Sequence, residues 1–105
     1  MPRYAYKLRI KADKIEEYEL EHTRVWPELL ARIKEVGISE YSIFRRGQDL
    51  TLVLRADDLD KALDQLDKDP VNLRWQEFMM PMWEPIPDKQ PGERCAFLKE
   101  VFYLE

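Results

Sequence analysis

From Arg3 to Ile10 the larger apolar side chains Tyr4, Tyr6, Leu8 and Ile10 alternate with mainly polar neighbours, the period-2 pattern of a strand with one buried face. The period then lengthens. Ile15, Tyr18, His22, Val25, Trp26, Leu29, Ile33 and Val36 recur at helical spacing and predict one amphipathic helix. Asp13, followed by Glu16, predicts a capping-box start. Pro27 predicts a kink, because it has no N–H to donate and its ring presses on the carbonyl of Thr23. Gly37 predicts the stop, since glycine takes the left-handed conformation at little cost. Residues 38–46 and 50–56 are β-rich runs around Arg46-Gly47-Gln48-Asp49, a hairpin signal. Asp57-Asp58 predicts the cap of a helix with the stripe Leu59, Ala62, Leu63 and Leu66. Asp69-Pro70 restarts a helix whose apolar face is Val71, Trp75, Phe78, Met79 and Met82. Residues 81–94 hold Pro81, Pro85, Pro87, Pro91 and Gly92 and read as an irregular loop; residues 96–104 read as a final strand.

The predicted order, βαββαβ, implies an α+β fold: a ferredoxin-like four-stranded antiparallel sheet with both helices on one face. Residues 1–105 read as a single domain of this kind. The second sheet face needs a cover, and a second copy of the chain supplies it most simply, giving a dimeric α+β barrel around a cavity. Tyr41, Ile43, Val53, Phe97, Val101 and Tyr103 are the expected lining of that face.

Composition narrows the chemistry. The chain is 45% hydrophobic and 36% charged, enough to bury a core and too apolar for disorder. Its 17 basic and 21 acidic residues leave a net charge of −4, which disfavours nucleic acid and anionic membranes. The lone Cys95 excludes an internal disulfide and a cysteine zinc site, and the lone His22 excludes multi-histidine metal sites. No apolar run approaches the ~18–20 residues of a membrane span, and no signal-peptide core follows Met1; a soluble, cytoplasmic protein is expected. With only Gly37, Gly47 and Gly92 there is no phosphate-binding glycine loop. Ser39 and Ser42 lack a nucleophile-elbow context, and the glutamates 16, 17, 19 and 21 read as a solvated helix face.

Histidine is the side-chain type whose unperturbed pKa lies near neutrality, and His22 is the only one in the chain. It lies one helical turn from Tyr18 and just before Pro27, where backbone carbonyls come free to orient an imidazole. Read alone, a histidine on an apolar stripe is as consistent with a hydrogen-bonded core residue. Trp26, Trp75, Trp83, Tyr18 and Tyr41 are core candidates that can also form a platform for the C–H face of a sugar.

The run His22-Thr-Arg-Val-Trp26-Pro27-Glu28, the strand around Tyr41, the segment Arg74-Trp75 with Met79 beyond it, and the ending Val101-Phe102-Tyr103-Leu104 resemble the L-rhamnose mutarotase family over nearly the whole chain. The resemblance implies a cytoplasmic homodimer of ferredoxin-like subunits that interconverts sugar anomers without a cofactor or metal. It implies His22 as proton donor, Tyr18 and Tyr41 as sugar-binding groups, and Trp75 as the first of two substrate-binding tryptophans. The second position is Gln76 here, a departure that bears on the sugar more than on the reaction. Two other readings use the same fold. A dimeric α+β barrel monooxygenase would use His22 as a haem ligand, and a sugar-sensing module would bind without turnover.

Overall fold

The computed structural model describes residues 2–105. Strand β1 (Arg3–Ile10) pairs along one edge with β3 (Asp49–Arg55), which pairs in turn with β2 (Ser39–Arg46), all antiparallel. Helices α1 (Ile15–Glu21), α2 (Pro27–Glu35), α3 (Leu59–Leu66) and α4 (Pro70–Met79) follow the strands. The other edge of β1 is shared by two short strands. β4 (Trp83–Glu84) pairs with Arg9 and Ile10, and β5 (Ala96–Leu98) pairs with residues 5–7. The result is the predicted α+β arrangement, a sheet curled into half a barrel. Tyr6, Ile10, Leu50, Leu52 and Leu54 on its inner face pack with Leu29, Leu59, Ala62, Trp75 and Met79 of the helices in one core.

Local chemistry sets the boundaries. Asp58 accepts from the Lys61 N–H, and Asp69 accepts from the N–H groups of Val71 and Asn72 with Pro70 in the first helical position. At the end of α2, Gly37 adopts φ +96°. Its N–H reaches the Lys34 carbonyl at 3.0 Å and that of Ile38 reaches the Ile33 carbonyl at 3.2 Å, the two bonds of a Schellman closure. Gly47 at φ +60° turns the β2–β3 hairpin.

Several expectations need correction. Pro27 does not kink a continuous helix; it begins a new one, with Trp26 before it extended at φ −57°, ψ 128°, the conformation that a following proline imposes. Asp13 makes no cap: Ala12–Lys14 is a 3₁₀ turn and α1 starts at Ile15 without a side-chain cap. Within the loop expected for 81–94, β4 forms because Arg9 draws Glu84 to 2.6 Å while also binding Asp49 at 2.8 Å and Gln48 at 3.0 Å. The last strand stops at Leu98, and Val101, Phe102 and Leu104 beyond it are 75–87% exposed.

The composition of the uncovered face also differs. Directly opposed residues of antiparallel strands share a face, so Ile43 and Phe97, opposite Leu52 and Tyr6, lie on the helix side. Tyr41, two residues before Ile43 on the same strand, joins them; the β2–β3 register slips by one residue only before it, between Ser39 and Ser42, with Glu40 at φ +48°. Of the expected lining on the strands only Val53 faces outward, with Ala5, Ser42 and Leu98 in register beside it; Val101 and Tyr103 lie beyond the last strand. The cavity therefore sits between sheet and helices of one chain, not behind the sheet.

Candidate active site

The break before Pro27 positions the histidine. Helix α1 ends at Glu21, and the Tyr18 carbonyl accepts its closing backbone bond while keeping a second lone pair for a side chain. The His22 backbone N–H reaches that carbonyl at 3.2 Å, and its ring Nδ1 lies 2.8 Å from the same oxygen. A carbonyl only accepts, so Nδ1 carries the hydrogen and Nε2 is the nitrogen free to exchange a proton. The imidazole stacks on the Tyr18 ring, centroids 4.0 Å apart and planes at 26°, and meets Trp75 edge-on at 5.6 Å. Trp75 packs in turn on Trp26 at 5.1 Å and Phe78 at 5.9 Å. One short helix end, one tyrosine and one tryptophan thus fix both the tautomer and the orientation of the only histidine.

His22, Tyr18, Tyr41, Trp75 and Gln76 all line one cavity of about 300 Å³. It contributes an acid–base nitrogen, phenol hydroxyls and an aromatic wall, with no cluster among the described residues that could hold a metal ion. Gln76 donates to the Asn72 amide oxygen at 3.4 Å, and Asn72 is itself anchored to the Leu66 carbonyl at 3.0 Å. A wider groove of about 470 Å³ along Arg3, Asp58, Asp60, Phe97 and Glu100 contains no histidine.

Burial holds the phenols of Tyr6 and Tyr18 above the usual tyrosine value, and that of Tyr41 well above it; neighbouring tyrosines add to the effect at Tyr18 and Tyr41. At neutral pH they are hydroxyls that donate and accept, not phenolate bases. These shifts predict an alkaline weakness. Unfolded tyrosines ionise near 10, whereas the folded ones keep their protons, so above that pH the native state binds more protons and stability falls as pH rises. The thermal midpoint is expected to drop between about pH 10 and 11, and Tyr18→Phe should flatten that slope in circular-dichroism melts. Burial likewise pushes the Cys95 thiol up, leaving it protonated.

Other residues complete the wall. Tyr6, Asn72, Trp83 and Arg94 also line the cavity. Trp83 was visible only as one aromatic among several, and Asn72 only as an amide one turn from Gln76. Arg94 carries no sequence signal, since its role depends on the loop folding back so that it binds Asp64 and the Asp60 carbonyl on α3. Among the described residues, two buried side-chain polar atoms have no partner, Ser39 Oγ and Trp83 Nε1.

Residues 3–104 match the family described as L-rhamnose mutarotase. The chain belongs to the L-rhamnose mutarotase family. An L-rhamnose mutarotase from Sinorhizobium medicae is 37% identical, with 99% of each chain covered; one from Flavobacterium johnsoniae is 33% identical over 98% of this chain and 95% of its own. The crystal structure of an L-rhamnose mutarotase from Formosa agariphila superposes with a TM-score of 0.81 at 29% identity, covering both chains completely. A type-II polyketide cyclase, tetracenomycin F2 cyclase from Streptomyces glaucescens, shares the fold alone, with a TM-score of 0.66 at 22% identity, covering 100% of this chain and 97% of its own. Membership in the mutarotase family agrees with a cavity built around one acid–base side chain. No helix among the described residues is long and apolar enough to cross a membrane.

Proposed function

We propose that this protein interconverts the α and β anomers of L-rhamnose as a cytoplasmic, single-domain homodimer. His22 is the proton donor, and Tyr18, Tyr41, Trp75 and Gln76 hold the sugar. The observation that carries this reading is the Nδ1 bond to the Tyr18 carbonyl, which leaves Nε2 as the exchangeable position in the wall of the cavity. The imidazole, carrying a hydrogen on each nitrogen, gives its Nε2 proton to the ring oxygen while the anomeric hydroxyl passes its own through the tyrosine hydroxyls to water. The C1–O5 bond breaks and the open-chain aldehyde forms. Rotation about C1–C2 presents the other carbonyl face, O5 attacks C1, its proton returns to Nε2, and the new O1 takes a proton back from water along the same hydroxyls. Neutral tyrosine hydroxyls orient the polyol and relay protons, and Trp75 packs against its C–H groups. Saturation-transfer NMR across a panel of hexoses tests the proposal directly. Accelerated exchange between the two L-rhamnose anomeric signals is expected, and no acceleration for any sugar would refute it.

Gln76 bears on selectivity. Glutamine offers less apolar area than tryptophan and adds a donor and an acceptor, so the rhamnose methyl gains less from it. Gln76→Trp is expected to raise the kcat/KM ratio for L-rhamnose over L-mannose, its 6-hydroxyl counterpart, by at most about 10- to 200-fold, because one such group is worth only ~1–3 kcal/mol. An unchanged ratio would place residue 76 away from C6.

The homodimer draws support from surface left uncovered. Phe44 and Leu98 on the outer sheet face are 61% and 42% exposed, and the apolar tail from Val101 to Leu104, a few residues beyond Leu98, is exposed as well. Patches of this kind mark contacts between copies. Light scattering at micromolar concentration should give twice the chain mass; Phe44→Glu with Leu98→Glu should shift it towards the monomer.

A further inference from the structure

We infer that the indole N–H of Trp83 donates a hydrogen bond to a hydroxyl oxygen of the bound sugar, which makes Trp83 a specificity-determining residue of the cavity. The inference rests on the proposed sugar-binding function and extends it to a residue outside the five discussed above. Trp83 stands opposite Ile10 in the β1–β4 pair, so its side chain lies on the inner face of the sheet with Tyr6, Leu8 and Ile10. Its backbone is held firmly. The Lys11 N–H bonds to the Met82 carbonyl at 2.9 Å, and the next residue, Glu84, is fixed to Arg9 at 2.6 Å.

The indole Nε1 is buried and has no hydrogen-bond partner. Native structures rarely leave such a group unpaired, and indole has only a donor to offer, so its missing partner must be an acceptor. The acceptors that line the same cavity, Tyr6, Tyr41, Asp67, Asn72 and Gln76, make no bond to it. Leu8, Trp83, Arg94 and Cys95 together line both the inner cavity and the adjoining groove under the proline-rich loop. Leucine has no polar atom, arginine only donates, and a thiol sulfur accepts weakly. A sugar hydroxyl in the cavity shared with His22, Tyr41 and Trp75 provides the acceptor that none of these wall groups supplies. The choice is selective, because a deoxy position or a methyl group placed against the same N–H leaves it unpaired.

The test follows the three tryptophan indole N–H signals of ¹⁵N-labelled wild-type protein, assigned by triple resonance, during titration with L-rhamnose. The Trp83 signal is expected to move downfield and to exchange more slowly with solvent. Trp83→Phe should raise KM about 2- to 12-fold, the loss of one neutral hydrogen bond, with kcat unchanged. One monodeoxy analogue of L-rhamnose should be bound equally by wild type and Trp83→Phe. A Trp83 signal that does not move on saturation overturns the inference, and this measurement needs no folded variant. Anomer exchange is recorded in the same tube. Its absence overturns the mutarotase reading, whereas the Trp83 signal decides the hydrogen bond in either case.

Discussion

His22→Ala is expected to slow enzymatic exchange of L-rhamnose anomers by about 10²–10⁴-fold, the contribution of a well-placed general acid–base group. The size follows from how completely the structure commits this side chain. Nδ1 is tied at 2.8 Å to a carbonyl, the ring is stacked at 4.0 Å on Tyr18, and Nε2 is left free in the cavity wall. No second histidine exists to replace it, and burial keeps the tyrosine phenols protonated. Saturation-transfer NMR gives the rate, and near-ultraviolet circular dichroism shows whether the aromatic cluster survives. His22→Asn sharpens the test: asparagine can reproduce the bond to the Tyr18 carbonyl but cannot carry a proton at neutral pH. It should be folded and as slow as the alanine variant. Exchange at near wild-type rate in either variant would remove His22 from the reaction.

Elements with a strong local cause could be read from the chain before folding. Asp58, Asp69-Pro70 and Gly37 act within a few residues of themselves, and each sits where its chemistry demands. The alternation of β1 was equally plain, because one buried face enforces it. What escaped depends on partners distant in sequence. β4 is two residues long and exists because Arg9, 75 residues away, holds Glu84. The face of Tyr41 and Ile43 is set by the β2–β3 pairing that puts Ile43 opposite Leu52, and a shift of one residue in that pairing would reverse the strand's faces. The site shows the same division. Tyr18 and His22 are neighbours on one helix turn and could be paired from spacing. The approach of Tyr41, Trp75 and Gln76 to them requires the whole sheet and α4 to be in place. Pro27 lies between these cases: its disruption of the helix was predictable, but whether it kinks or restarts the helix depends on Trp26 taking the extended conformation.

Trp75→Ala is expected to be the most damaging single substitution for the fold and to impair binding with it. Trp75 is only 6% exposed, and its ring touches His22, Trp26 and Phe78 at 5.1–5.9 Å. Removing a buried aromatic ring of this kind costs about 3–5 kcal/mol, because the surrounding structure closes only partly around the void. Native stability in domains of this size is about 5–15 kcal/mol. At roughly 4–8 °C per kcal/mol, the melting midpoint should fall by well over 10 °C. The void opens directly beside His22, so the imidazole loses its edge contact and the sugar loses an aromatic wall. Trp75→Phe separates the two roles. A phenyl ring refills much of the space against Trp26 and Phe78 and should restore most of the thermal midpoint. It offers the sugar a smaller platform, so KM should stay raised while kcat recovers, the signature of lost uniform binding. Melts at fixed protein concentration and exchange kinetics on the same samples make the comparison. If Trp75→Phe recovers stability and KM together, Trp75 acts only as core packing behind the histidine, and the sugar rests on the remaining wall.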